Sequence, residues 1–182
     1  MDEIDAVIKI KFYDLVIARY KDLISEKETK SISDIRQKCS PYNKFIENLS
    51  KQITTEIKNY EYENNFLQAL EKILEYIKTI KVLELNFDFW LSEKDIDNLK
   101  VGTKMDKSIL LCSLIRSIGS GNCVVVVTKS KTNYISLEYK NDRYVINQES
   151  GSILKGEDIE QLFERDAIDY SFSDLSYEDY SE

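Results

Sequence analysis

Val101–Gly119 reads VGTKMDKSILLCSLIRSIG. Gly102 opens it, Asp106 offers a side-chain cap, and Ile109, Leu110, Leu111, Leu114, Ile115 and Ile118 recur at helical spacing until Gly119 closes it. The pattern predicts a buried helix whose N-terminus is held at a glycine-containing turn. Beyond Gly119, the apolar run CVVVV and the alternation in NYISLEYKNDRYVINQES predict strands over residues 122–128, 134–139 and 143–147. Lys129–Asn133 and Asn141-Asp142 supply the turns. The expected core is an antiparallel meander packed on the helix.

On the other side of the helix, Val82–Trp90 takes a period of two, with Leu83, Leu85, Phe87 and Phe89 opposite Glu84, Asn86 and Asp88. This predicts an extended segment. Ser92 with Asp95 resembles a capping box for a short helix running into Gly102. Earlier still, Phe66, Leu67, Leu70, Ile73, Leu74, Ile77 and Ile80 mark one helix, and Phe45, Ile46, Leu49, Ile53, Ile57 and Tyr60 another, started at Ser40-Pro41. Ser33 is the expected cap of a turn after SEKETKSIS. The chain opens with Ile4, Val7, Ile8, Phe12, Leu15, Val16, Tyr20, Leu23 and Ile24 at spacings of three and four, opposite Asp2, Lys9, Asp14, Lys21 and Asp22. That predicts an amphipathic helix with a core stripe and a solvated face.

Gly102-Thr103-Lys104-Met105-Asp106-Lys107-Ser108-Ile109-Leu110 lies without a gap over Gly-Asp-Cys-Glu-Asp-Lys-Ser-Leu-Leu, a common form of the nucleophile segment of the transglutaminase-like cysteine enzymes. The likeness extends over roughly residues 66–155. It implies an α+β fold in which N-terminal helices precede a buried helix on a small antiparallel sheet. It also implies that the family's triad is missing. Lys104 stands where the cysteine would be, Tyr134, or Asn133 in a register shifted by one, where the histidine would be, and Asn147 where the aspartate would be. In that family the neighbourhood of Trp90 borders the active-site cleft, so Trp90 would line a ligand groove or pack the corner before the short helix.

The sequence contains no histidine, so Cys39, Cys112 and Cys123 have no imidazole to activate them. The three are too few and too scattered for a disulfide framework or a zinc site, and Cys112 and Cys123 read as small buried hydrophobes; no metal and no cofactor is expected. No apolar run is long enough to span a bilayer, and MDEIDAVIKI lacks the basic start of a secretory signal, so a cytoplasmic protein is expected. Abundant Ile, Lys, Glu and Asn point to a thermophilic archaeal or viral source.

The net charge of −8 is uneven. Residues 157–182 carry ten acidic residues against Arg165 alone, leaving the rest of the chain near neutral. Three parts are therefore expected: helices over 1–62, a transglutaminase-like core over 63–165, and an acidic tail over 166–182. The tail interleaves Tyr170, Phe172, Leu175, Tyr177 and Tyr180 with carboxylates. It reads as a weakly held peptide that docks on a protein partner through Phe172, Leu175, Tyr177 and Tyr180, or as a strand folded back on its own sheet. No basic cluster suggests nucleic acid. Three functions are weighed: a catalytically inactive interaction or scaffold module; an enzyme using Lys104 as an amine nucleophile, its pKa lowered at a helix N-terminus; and a nucleic-acid-repair accessory factor like the excision-repair members of the superfamily.

Overall fold

The computed structural model describes residues 3–87 and 89–180, with side chains from residue 7 onward. Asp2, Asp88, Glu182 and the side chain of Ile4, all assigned above, lie outside the described residues. In chain order the elements are α1 (Glu3–Glu28), α2 (Ile32–Lys38), α3 (Lys44–Thr55), α4 (Tyr62–Lys78), β1 (Lys81–Val82), α5 (Glu93–Leu99), β2 (Val101–Gly102), α6 (Lys104–Ser117), β3 (Val124–Thr128), β4 (Asn133–Tyr139), β5 (Asp142–Asn147), β6 (Ile153–Lys155), α7 (Glu157–Arg165), β7 (Ile168–Phe172) and β8 (Tyr177–Asp179). The contacts gather them into two compact units, Met1–Lys30 with Leu85–Trp90, and Ser31–Glu84 with Leu91–Glu182. The divisions expected at 62/63 and 165/166 are not the ones the contacts make, because α3 packs on α6 and residues 168–179 belong to the same sheet as β3.

In the first unit, α1 is not the one-sided helix its stripe predicts. Ile10 and Ile17 interrupt the face of Asp14 and Lys21, so apolar side chains run all round it, and Phe12 and Leu15 are exposed rather than packed in a core. Leu85–Trp90 joins this unit without forming a strand; Phe87 and Phe89 meet edge to face at 6.4 Å. Of the expected extended segment, Val82 lies in the two-residue parallel bridge of β1 with β2, and Leu83 N donates to Gly102 O at 2.8 Å. Among the described residues no helix is long and apolar enough to cross a membrane.

The second unit is built on α6. Eleven of its 14 residues are buried, and α3, α4 and the sheet enclose it. The sheet is antiparallel with strand order β6-β5-β4-β3-β7-β8. Side chains alternate across β4. Tyr134 joins Val126, Val145 and Ile159 beneath α7, with its ring 6.2 Å from Phe163. Tyr139, of the opposite parity, stacks on Phe66 at 4.8 Å and donates its hydroxyl to Glu63 O at 2.6 Å, on the side of α4 and α6. The sheet is thus covered on both faces, which explains why β3 is an unbroken valine run.

Several local signals act one or two residues from where the pattern puts them. Ser31, not Ser33, caps α2, and Asn43 caps α3 after Pro41 has made a turn. Thr103 is the N-cap of α6, with Asp106 returning the bond. The β4–β5 turn places Lys140 and Asn141 at positive φ, one residue before the expected pair. Cys112 and Cys123 are fully buried, as expected, with their sulfurs 3.7 Å apart, and Cys39 is fully buried as well. Burial pushes the Cys112 thiol well up, away from nucleophilic character.

The tail is the main correction. Residues 168–179 are not a weakly held peptide: β7 pairs with the β3 edge of the meander and β8 pairs with β7. Phe172 is 0% exposed and Ser171 and Ser173 are buried beside it. In the following turn, Asp174 Oδ1 meets Arg116 Nε at 2.6 Å, off the line of the N–H, and its carbonyl accepts from Arg36 Nη2 at 2.9 Å. Arg116 also donates from Nη1 to Gly121 O and Cys123 O. Acidic composition hid a strand because much of the charge is spent inside the fold: Asp166 accepts from Ser130, Asp169 pairs with Lys131 and Asp174 with Arg116.

Two outcomes follow for stability. Phe172→Ala should cost about 3–5 kcal/mol in urea denaturation, the ordinary penalty for emptying a buried aromatic site. A chain ending at residue 166 should fail to fold; unchanged cooperative melting of that chain would show β7 to be dispensable. At Gly119, where φ is +115°, an added Cβ would meet Tyr62 Cδ2 at 2.9 Å. Gly119→Ala should therefore lose more than about 1 kcal/mol in the same measurement.

Candidate functional site

The start of α6 is defined by a reciprocal cap. Thr103 Oγ1 accepts from Asp106 N at 3.1 Å, and Asp106 Oδ2 accepts from Thr103 N at 3.0 Å. Burial pushes the Asp106 carboxyl up while the bonds from Thr103 pull it down. This cap satisfies the Asp106 N–H but leaves those of Lys104 and Met105, in the first turn, without an intrahelical acceptor. Both point out of the helix end, together with the positive end of its dipole.

Lys104 is in that first turn, as the alignment requires. Its Nζ lies 2.9 Å from Glu149 Oε1, in a pair exposed by nearly half on both sides. Hydrogen bonding and charge from Glu149 push the Lys104 ammonium up, the opposite of the shift an amine nucleophile needs. One turn on, Lys107 is only 3% exposed. Burial pushes its ammonium down, against an upward pull from Glu149. It makes no ion pair among the described residues.

Two strands face this helix end. Asn133 opens β4 and is buried, with Nδ2 at 4.0 Å from Met105 Sδ, a weak contact. Tyr134, one residue on, points through the sheet to Phe163. Of the two registers left open by the sequence, the structure therefore brings Asn133, not Tyr134, to α6. The ladder places the β5 position in the same way. Asn147 is the direct partner of Tyr134, and its Oδ1 accepts from Glu149 N at 2.9 Å and Ser150 N at 3.1 Å, forming the turn before β6. Asn147 is thus not brought to Lys104. The next residue, Gln148, lies past the end of β5, in the turn that leads to β6.

Gln148 was missed by the sequence reading, and so were Lys107 and Glu149 as members of the site. Gln148 is 2% exposed, and neither Nε2 nor Oε1 has a hydrogen-bond partner. No strand periodicity marks it, because β5 ends at Asn147. The arrangement is a helix end rich in donors, with the Asn133 amide and the Lys104 ammonium beside it and Lys107 one turn on. Among the described residues there is no cluster of His, Cys, Asp or Glu able to hold a metal ion.

The remaining expected residues lie elsewhere. Trp90 belongs to the first unit. Phe172 is enclosed in the core and cannot be a surface anchor, whereas Leu175 is 69% exposed and Tyr180 is exposed; Tyr177 is half-buried and stacks on Tyr170 at 5.8 Å.

No family model and no curated protein matches the sequence. Two solved structures from Legionella pneumophila do resemble the fold, and both are of LapG, a transglutaminase-like cysteine protease. The calcium-bound form matches with a TM-score of 0.55 at 14% identity, over 78% of this chain and 88% of LapG. The EGTA-treated form matches with a TM-score of 0.56 at 15% identity, over 84% of this chain and 87% of LapG. The chain therefore has an α+β fold of the transglutaminase-like kind, a buried helix on an antiparallel sheet.

Proposed function

We propose that this chain is a catalytically silent transglutaminase-like domain that serves as a protein-interaction module. The observation that carries the reading is the chemistry at the start of α6. The nucleophile position holds Lys104, engaged with Glu149, and the strand opposite supplies the amide of Asn133. An amide does not take up a proton near neutral pH, and the chain has no imidazole for it to orient. Acyl transfer through a thiol would need all three functions at once. The amine-nucleophile reading is disfavoured by the upward shift at Lys104. A surface suited to a partner is left by the tail, where Leu175 is exposed in the β7–β8 turn tied to Arg116 through Asp174, and Tyr180 is exposed past β8 at the other end of the hairpin. Nucleic acid fits that acidic surface poorly.

Wild-type protein and Lys104→Cys should both release no acyl product from peptide amides and esters, because a thiol there still lacks a base. Turnover by the wild type that disappears in Lys104→Ala would replace this reading with the amine enzyme. The double variant Leu175→Ser, Tyr180→Ser should melt with the wild type but lose whatever protein co-purifies from the source cell. Retention of the same partner by the double variant would move the interaction away from the tail.

A further inference from the structure

We propose that Cys112 and Cys123 are a dithiol–disulfide couple, closed by a small-molecule disulfide into a covalent tie between α6 and the residue that precedes β3. Their sulfurs are 3.7 Å apart, and the contact is directed: Cys123 Sγ donates to Cys112 Sγ, and Cys112 Sγ donates to Cys123 O at 3.6 Å. A disulfide bond is about 2.0 Å long, so the two sulfurs have only about 1.7 Å to close, and the side chains already point at each other. The couple asks nothing of Lys104 or of the exposed tail, so it stands whether or not the interaction reading does.

The surroundings decide which sulfur an oxidant meets first. Both are fully buried. Cys112 lies within α6, enclosed by α3, α4 and the sheet, whereas Cys123 follows a turn in which Gly119, Gly121 and Asn122 are exposed, with open space beside Gly121. Local opening of that turn, rather than of the helix, uncovers Cys123. Cys39 also contacts Cys112, but its neighbours Lys38 and Ser40 are both half-buried and give it no such exposed turn. Arg116 spans the turn, donating from Nη1 to Gly121 O at 2.7 Å and to Cys123 O at 3.1 Å. Opening breaks both bonds, so the reaction is slow in the folded chain. Burial holds the Cys112 thiol protonated while the Arg116 charge pulls the other way, and water entering with the opened turn weakens the first effect.

With glutathione disulfide the steps balance. The Cys123 thiolate attacks one sulfur of the oxidant, and a glutathione thiolate leaves and takes up the proton that Cys123 lost. A mixed disulfide remains. Cys112 Sγ then attacks Cys123 Sγ, the protein disulfide forms, and the second glutathione leaves with the Cys112 proton. Two cysteine thiols are oxidised, and one glutathione disulfide is reduced to two thiols.

The test treats the full chain in two arms, one incubated folded with excess glutathione disulfide and one refolded from urea in the same buffer. Each is alkylated in denaturant, weighed intact and mapped by peptides. Two of the three thiols should escape alkylation, with the link mapped to Cys112 and Cys123. The short closed loop should raise the melting temperature by about 5–10 °C over the sample kept in reductant. Cys39→Ala should form the link as the unaltered chain does, and Cys123→Ala should keep both remaining thiols free. A link in the refolded arm alone supports the couple but moves its closure ahead of folding. Three free thiols in both arms would leave the sulfurs as packed small hydrophobes and overturn the inference. A link mapped to Cys39, a glutathione adduct that never resolves, or a link that lowers the melting temperature would overturn it likewise.

Discussion

A helix as deeply enclosed as α6 has to begin at one fixed residue, and the reciprocal bond between Thr103 and Asp106 is what sets that start. Moving the start by one residue would rotate every later side chain by about 100°. Leu110, Leu111, Leu114 and Ile115, all fully buried, would then leave their places among α3, α4 and the sheet. The cap contributes only about 1 kcal/mol as a bond. Its larger effect is on phase, and through phase on which residues look out from the helix end. Gly102 is buried just ahead of the cap, in ordinary contact distance of Ile96 and Asp106.

The other end of α6 is tied by Arg116. Its guanidinium holds the β3 entry through Gly121 O and Cys123 O and the β7–β8 turn through Asp174. Both partners are nearly enclosed, so removing either would strand a buried charge, a far larger loss than an exposed pair entails. By contrast Lys104–Glu149, open to solvent on both sides, is worth about 0–1 kcal/mol and can be exchanged for another contact at little cost. The rigid tie is at the structural end of the helix and the labile one at the end with unmatched donors.

What the sequence made legible was strongest where one periodic signal acted alone. The run Ile109–Ile118 could only be a buried helix, and YKND between two alternating segments could only be a tight turn, so α6 and the β4–β5 hairpin were read nearly to the residue. The site was half read. Lys104 follows from the helix, but the choice between Asn133 and Tyr134 depends on which face of the sheet each helix covers. Burial on both faces removes the apolar-polar alternation that would have said so. Tyr134 and Asn133 are both buried, one against Phe163 and one against Met105. The tail misled because composition counts charges without their partners, and Arg116, Lys131 and Ser130 lie far upstream of the carboxylates they meet. In α1 the fault was selective counting: the residues off the stripe, Ile10 and Ile17, were as apolar as those on it.

The position of β7 has a bearing on the fate of damaged copies of this chain. Val124–Val127, four consecutive β-branched residues without charge, pair on one side with β4 and on the other with β7. A protease that nicks the chain after α7 and frees the last strands would uncover one whole side of that run, with its N–H and C=O groups unpaired. Such an edge is a template for another copy's valine run, and stacked in register the two would build a fibril-like assembly. In the intact sheet the outermost strands, β6 and β8, are three residues each, and the latter carries Glu178 and Asp179. Short, charged borders of this kind resist edge-to-edge joining. The acidic end of the chain thus acts as a guard strand, keeping an aggregation-prone segment solvent-free for as long as the polypeptide stays whole.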